Sequence, residues 1–177
     1  VITPDEVHPE MMNMTDYIGV QYYGTGIVNG FGFSPYPALP VISGFTQPGY
    51  LLTILTGLCP VDECSASGVP VKPSGLRRML DIANAYGKSL WVTENGFNTT
   101  VDDQRTSYLV RHLAVVQQAI ADGMPIQGYL HWSNVDNLEW NLGYHAHYGL
   151  YHFDPVTLER IPTATVPIFK QIATGNG

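Results

Sequence analysis

Glu94 is a candidate reactive carboxylate, because it lies at the end of an apolar segment of the sequence. Residues 90–97 read LWVTENGF, an apolar run that stops at Thr-Glu-Asn-Gly. Apolar and β-branched residues followed by a polar, glycine-containing break are typical of a buried strand that ends in a loop. An isolated Glu-Asn-Gly is more simply interpreted as a solvated turn, whereas α/β barrels keep their reactive groups at the carboxyl ends of strands. The residues at the other predicted strand ends distinguish between these two interpretations.

Two further segments follow the same pattern, YIGVQYYG at 17–24 and GYLHWSNVDNLEW at 128–140. Together the three ends offer carboxylates, tyrosines, amides and indoles: Glu94, Glu139, Tyr22, Tyr23, Gln21, Asn95, Asn137, Trp132 and Trp140. Sugars need this mixture, because their apolar ring faces stack on aromatic rings while their hydroxyls pair with charged or amide groups. The sequence therefore predicts a carbohydrate site at the strand ends.

Other chemistries fit these strand ends less well. Phosphate transfer would need Lys, Arg or a glycine-rich cradle, and the three ends carry none. Ser133 lies close to His131, but no Gly-x-Ser-x-Gly elbow surrounds it. His145, His147 and His152 lack familiar metal-ligand spacings on a segment predicted to be irregular and exposed, so we expect no metal site and no cofactor.

Composition bounds the class of protein. With 177 residues the chain is long enough for a core but too short for a complete eight-fold α/β barrel, which typically needs about 250 residues. Its 45% hydrophobic and 13% charged residues indicate a globular chain. The net charge of −7 argues against a nucleic-acid partner, and the lack of any apolar run of about 18 residues argues against a membrane span.

Two local features leave the compartment open. Cys59 and Cys64 could close a small loop in an oxidising environment, but no second pair of cysteines supports a zinc site. The segment 98–100 (Asn-Thr-Thr) is formally a glycosylation acceptor, which matters only in a secretory pathway. The given N-terminal residues lack a basic start followed by an apolar segment, so we expect no signal peptide within them.

The elements that position these ends are predicted to alternate. We expect strands at 17–23, around 90, and at 126–132. In the first, Gln21 and Tyr23 share one face and Val20 and Tyr22 the other. The order of strands and helices is that of βα units in a parallel sheet, although three units cannot close a barrel.

Helices are predicted between and after the strands. Ser74 is expected to cap the first, which ends at Gly87, and its apolar face carries Leu76, Met79, Leu80, Ile82 and Ala83. Asp102 or Asp103 begins the second, which runs to Ala121 with the stripe Tyr108, Leu109, Leu113, Val116 and Ile120. A turn at 154–157 precedes a last helix at 166–173. Residues 25–74 form a long glycine- and proline-rich excursion, within which 51–58 could be strand or helix.

Seven segments in order resemble the C-terminal portion of glycoside hydrolase family 1, the retaining β-glucosidases and β-glycosidases. They are DYIGVQYY, GLRRMLDIANAYG, VTENG, DDQRTSYLVRHL, AIADGMPIQGYLHWSNVDNLEWNLGY, YGLYHFD and LERIPT. The resemblance implies that 1–177 is the C-terminal part of one (β/α)₈ TIM-barrel domain, covering about strands six to eight. The substrate implied is a β-linked glycoside or oligosaccharide.

The resemblance also implies roles for individual residues. Glu94 would be the nucleophile and Tyr23 its hydrogen-bonding partner. Trp132, expected to be followed by a cis peptide, would form the floor of the sugar site. Glu139 and Trp140 would bind sugar hydroxyls, a pair that favours an unphosphorylated sugar.

Two positions depart from the family pattern. Gln21 replaces the asparagine that precedes the two tyrosines, and it is one methylene longer. His147-Tyr148-Gly149 replaces Arg-Phe-Gly, so the usual arginine contact is missing. We still expect Gln21 and Tyr148 among the substrate-binding residues.

The catalytic pair is incomplete in this sequence. Retaining hydrolysis needs two carboxyl groups, and the family's acid/base lies in an Asn-Glu-Pro motif that the chain does not contain. We therefore expect the chain alone to be inactive and a complementary N-terminal segment of roughly 250 to 300 residues to carry the acid/base. The alternative is a non-catalytic carbohydrate-binding or structural half-barrel in which Glu94 only accepts hydrogen bonds.

Overall fold

The computed structural model describes residues 14–24, 63–66 and 69–175. Most of the predicted excursion at 25–74, including 51–58 and Cys59, lies outside these residues, and so does the possible pairing of Cys59 with Cys64. At the described end of the excursion, Cys64 and Pro70 form an isolated antiparallel bridge.

Three parallel strands form the central sheet in the order β1 (Tyr17–Tyr22), β2 (Ser89–Asn95) and β3 (Ile126–His131). This confirms the predicted order of βα units. Val20 and Tyr22 are buried while Gln21 is exposed, so the predicted alternation along β1 is also confirmed.

Helix α1 (Pro73–Asn84) connects β1 to β2. The predicted cap at Ser74 is wrong: Lys72 is the N-cap and Pro73 occupies the first turn, where a fixed φ and a missing N–H cost nothing. Gly87, at φ 65°, follows the helix as expected.

The apolar face predicted for α1 is too wide. Its buried hydrophobic residues are Leu76, Leu80 and Ala83, one stripe at spacings of four and three. Met79 and Ile82 flank this stripe and are 37% and 50% exposed.

Helix α2 (Asp102–Ala121) connects β2 to β3 with the predicted bounds. Ile120 of the predicted stripe is half exposed, whereas Arg105 and His112 are fully buried. Arg105 pairs with Asp102 and donates to the carbonyl oxygens of Thr99 and His147. Burial lowers the pKa of His112 to about 4, so its imidazole is neutral at physiological pH.

The core lies between the sheet and these two helices. Its buried members come from all three layers: Val20, Tyr22, Leu76, Leu80, Ala83, Leu90, Val92, Val116, Ala119 and Met124. No helix within the described ranges is long and apolar enough to cross a bilayer.

A β-hairpin follows β3. Its turn was predicted from the sequence, but its two strands were not. Strands β4 (Tyr151–Phe153) and β5 (Arg160–Pro162) pair antiparallel, and Asp154 stabilises the turn by accepting from the N–H groups of Val156 and Thr157. Helix α3 (Thr165–Gly175) begins and ends near the predicted residues.

The formal glycosylation acceptor is part of the fold. Asn98 is 5% exposed, and its Oδ1 accepts from the backbone N–H of His147 at 2.8 Å. Its side chain therefore ties the loop after β2 to the segment before β4.

Candidate active site

Glu94 lies near the end of β2, partly buried, with both carboxylate oxygens engaged. Gln21 Nε2 donates to Oε1 at 2.8 Å, and the Tyr23 hydroxyl donates to Oε2 at 2.5 Å. Both donors belong to the neighbouring strand or the residue after it. The parallel register therefore brings together three of the predicted site residues.

A bulge turns Glu94 toward these partners. Leu90 and Val92 pack in the core on the helix side of the sheet, and strict alternation would send Glu94 to the same side. The pairing of β1 with β2 shifts between Val20 and Gln21, so that Val20 lies opposite Val92 but Gln21 lies opposite Glu94. An extra residue in one strand reverses the facing of the residues after it, which puts Glu94 on the face of Gln21 and Tyr23.

The electrostatics of the pair keep Tyr23 a donor. Burial, and then the hydrogen bond and negative charge of Glu94, raise the pKa of the Tyr23 hydroxyl. It therefore stays protonated at working pH and can donate to the carboxylate throughout.

Trp132 and Glu139 form a second pair after β3. The peptide between Trp132 and Ser133 is cis, as expected, and Trp132 Nε1–H donates to Glu139 Oε1 at 2.8 Å. The loop after β2 packs directly against Trp132: a Cβ on Gly96 would lie 1.8 Å from the Trp132 carbonyl oxygen. Gly96 is therefore needed for this close approach.

The remaining two predicted binding residues, Tyr148 and Trp140, differ in what surrounds their rings. Tyr148 packs edge-on against Tyr23, with ring centroids 5.9 Å apart, so it joins the group around Glu94. Trp140 is 90% exposed at the start of a short 3₁₀ helix (Trp140–Leu142). The described residues do not cover its indole.

The sequence profile described as "Glycosyl hydrolase family 1" matches residues 2–177. This chain belongs to that family. Its relatives include a β-galactosidase of Pyrococcus woesei, 34% identical over 92% of this chain and 32% of the relative, and one of Sulfolobus acidocaldarius, 32% identical over 97% and 34%. The chain thus spans about a third of the length of the relatives it matches.

Solved structures give the same result. A β-glycosidase from Pyrococcus horikoshii superposes with a TM-score of 0.73 at 32% identity, covering 89% of this chain and 34% of that one. A β-glucosidase from Thermotoga maritima in complex with noeuromycin gives 0.71 at 26%, covering 92% and 35%. Family 1 glycosidases have a TIM-barrel fold, and this chain matches part of one.

Two residues counted among the polar strand ends serve the fold instead. Tyr22 is 5% exposed and donates to the Lys72 carbonyl oxygen, and burial raises its pKa to about 12. Asn95 is fully buried; its Nδ2 donates to the carbonyl of Tyr22 and to the hydroxyl of Tyr108, and its Oδ1 accepts from Tyr129. Asn95 therefore fixes the ends of all three strands relative to α2.

A third group joins His147 and His152, which the sequence analysis considered, to Asp136, which it did not. Both imidazole Nδ1 atoms lie within hydrogen-bond distance of Asp136 Oδ2, at 2.8 and 2.9 Å. His145, which the sequence grouped with them, is exposed. Burial would raise the pKa of the Asp136 carboxyl, but hydrogen bonds from the two histidines and the Gly149 N–H hold it below its usual value.

Proposed function

We propose that this chain supplies the nucleophile side of a retaining β-glycosidase that hydrolyses terminal β-glycosidic bonds, with Glu94 as the attacking carboxylate. The observation that carries the proposal is the pair of neutral hydrogen bonds that fixes both oxygens of Glu94 at a strand end. Neutral donors orient the carboxylate without neutralising its charge, which leaves it able to attack.

Retaining hydrolysis proceeds through two displacements. A Glu94 oxygen attacks the anomeric carbon and the bond to the leaving oxygen breaks, while a second carboxylic acid protonates that oxygen. Water, deprotonated by the same second group, then releases the sugar and frees Glu94. Tyr23 keeps its proton throughout and orients the nucleophile.

The other residues surround the sugar. Trp132 offers an indole face for stacking, and Glu139, with Trp140, offers groups for hydroxyls. Gln21 and Tyr148 form one wall of the sugar site, since Gln21 contacts Glu94 and Tyr148 contacts Tyr23.

Within the barrel, we assign β1 to β3 to strands six to eight of a single domain. The second carboxylate must then come from a complementary N-terminal segment with an Asn-Glu-Pro motif. Glu139 is a poor substitute, because its Oε1 is held by Trp132. The 177 residues alone should therefore not turn over a β-glycoside.

The test compares Glu94→Gln with Glu159→Gln, an exposed glutamate in the hairpin after β4, in the protein that includes the acid/base segment. We expect Glu94→Gln to lower kcat at least about 10³-fold, as losses of covalent nucleophiles do, with sugar affinity largely retained. Glu159→Gln should leave kcat unchanged. Turnover by Glu94→Gln at the wild-type rate would refute the assignment. Sugar binding without turnover by the unsubstituted protein would instead favour a non-catalytic carbohydrate-binding half-barrel.

A further inference from the structure

Asp136, His147 and His152 converge on one point outside the Glu94 group. The candidate ligand atoms, one from each side chain, all lie within 4.8 Å of one another. Asp136 is only 7% exposed in its side chain, while the two imidazoles are about one-third exposed. The group therefore has a buried anion on one side and solvent access on the other.

The backbone holds these side chains in place. The Gly149 N–H donates to Asp136 Oδ1 at 2.7 Å, which orients the carboxylate and leaves Oδ2 for the imidazoles. A Cβ on Gly149 would lie 2.4 Å from the Asp136 backbone nitrogen, so a glycine is required there. Arg105 and Asn98 hold the backbone of His147.

His152 is fixed separately by the hairpin. It lies in β4 opposite Ile161 of β5, and the Asp136 N–H donates to the neighbouring Tyr151 carbonyl at 2.9 Å. The three side chains thus come from three backbone segments already tied to one another. Such preorganisation is what a metal site needs from its scaffold.

We propose that Asp136, His147 and His152 bind one Zn²⁺ ion through one carboxylate oxygen and two Nδ1 atoms, with water as the fourth ligand. Two imidazoles and a carboxylate with an open position are a ligand set that zinc adopts in proteins. The hard cations Mg²⁺ and Ca²⁺ prefer oxygen ligands and are disfavoured by the two nitrogens. This site goes beyond the proposed glycosidase function and does not depend on it.

The two carboxylate–imidazole contacts must lengthen to admit the ion. Ligands at about 2.0 to 2.1 Å from a tetrahedral zinc are about 3.3 Å apart, whereas Nδ1 and Oδ2 are now 2.8 and 2.9 Å apart. Each of these two pairs must therefore separate by about half an ångström, and the candidate ligand atoms of the two histidines lie within 4.8 Å of each other. Zinc binds a neutral imidazole, so each ring must carry its proton on Nε2 and present the Nδ1 lone pair to the metal in place of the contact with Asp136.

An ion bound there would also restrain the backbone that carries its ligands. It would join the loop after β3, which carries Asp136, to the segment between His147 and His152. That segment includes Tyr148, whose ring packs against Tyr23. An occupied site therefore restrains one wall of the sugar site without touching the reacting atoms.

The test is calorimetric titration of the chelator-treated protein, produced without a histidine tag, with ZnCl₂ and separately with MgCl₂. We expect one equivalent of Zn²⁺ to bind and Mg²⁺ not to bind. His147→Ala and His152→Ala should each weaken zinc binding by about 100-fold or more, at or above the loss of an outer partner of a metal ligand. His145→Ala is the matched control and should bind as the wild type does.

Two results would overturn the site: no stoichiometric zinc binding by the wild type, or equal binding by wild type and His152→Ala. If either alanine variant fails to fold, Co²⁺ bound to the wild type decides. Intense visible absorption from tetrahedral cobalt supports the site, and the weak absorption of hydrated octahedral cobalt rejects it.

Discussion

Glu94 and Glu139 belong to the same candidate site but are held by different parts of the molecule. Glu94 lies on the middle strand, and both of its oxygens accept from side chains of the strand beside it. Glu139 lies in the loop after β3, where Trp132 Nε1 binds one of its oxygens. A carboxylate held by the sheet on both oxygens is fixed more firmly than one held by a loop on one oxygen, and this difference supports the proposed roles of Glu94 as nucleophile and Glu139 as a binding residue.

Removing the hydroxyl of Tyr23 weakens the support of Glu94 and leaves Glu139 unchanged. Tyr23→Phe deletes the 2.5 Å hydrogen bond to Glu94 Oε2. A hydrogen bond to a charged group is worth about 1.5 to 3 kcal/mol, so we expect kcat to fall roughly 10- to 100-fold. Steady-state kinetics on an aryl β-glycoside measure this loss.

Tyr22→Phe is the matched control, because the adjacent hydroxyl donates to Lys72 and not to Glu94. It should lower the free energy of unfolding by about 1 kcal/mol and leave kcat within about two-fold. If the two variants lose the same activity, Tyr23 does not act through Glu94.

Changing the loop-held carboxylate should have a smaller effect of a different kind. In Glu139→Gln the amide oxygen can still accept from Trp132, so the loop keeps its anchor. The lost charge weakens hydrogen bonds to sugar hydroxyls, and we expect kcat/KM to fall about 10-fold, mainly through KM. A loss in kcat as large as that of Glu94→Gln would contradict the distinction between the two carboxylates.

Much of the sheet and its helices could be predicted, because periodicity alone sets them. The apolar run at 90–97 indicated β2, and the stripe from Tyr108 to Val116 indicated α2, whose start was placed at Asp102 or Asp103 from capping preferences. Hairpin strands β4 and β5 were missed, since three residues each are too short for alternation to be read.

The site was harder to predict, because it depends on register. Alternation from Val92 would turn Glu94 toward the helices, and only the bulge between the strands shows why it faces Gln21. Asn95 and Tyr22 were predicted at the sugar site because they lie at strand ends, yet both are buried. The alternation along β1, which puts Tyr22 on the face of Val20, signalled this for Tyr22, whereas no pattern signalled it for Asn95.

The Asp136 group illustrates a different limit. His147 and His152 follow Asp136 by 11 and 16 residues, and the three meet because β4 and the segment before it lie beside the loop after β3. Spacing rules look for ligands along one helix or turn, so the sequence analysis considered His147 and His152 but could not place them beside Asp136. The replacement of an arginine by His147 was the one visible hint.

Mechanism-based labelling tests the central claim most directly. The protein that includes the acid/base segment is incubated with a 2-deoxy-2-fluoro β-glycoside, digested, and its peptides are sequenced by mass spectrometry. We expect a single glycosyl ester on Glu94. A label on Glu139 or on any other residue would contradict the assignment of Glu94 as the nucleophile.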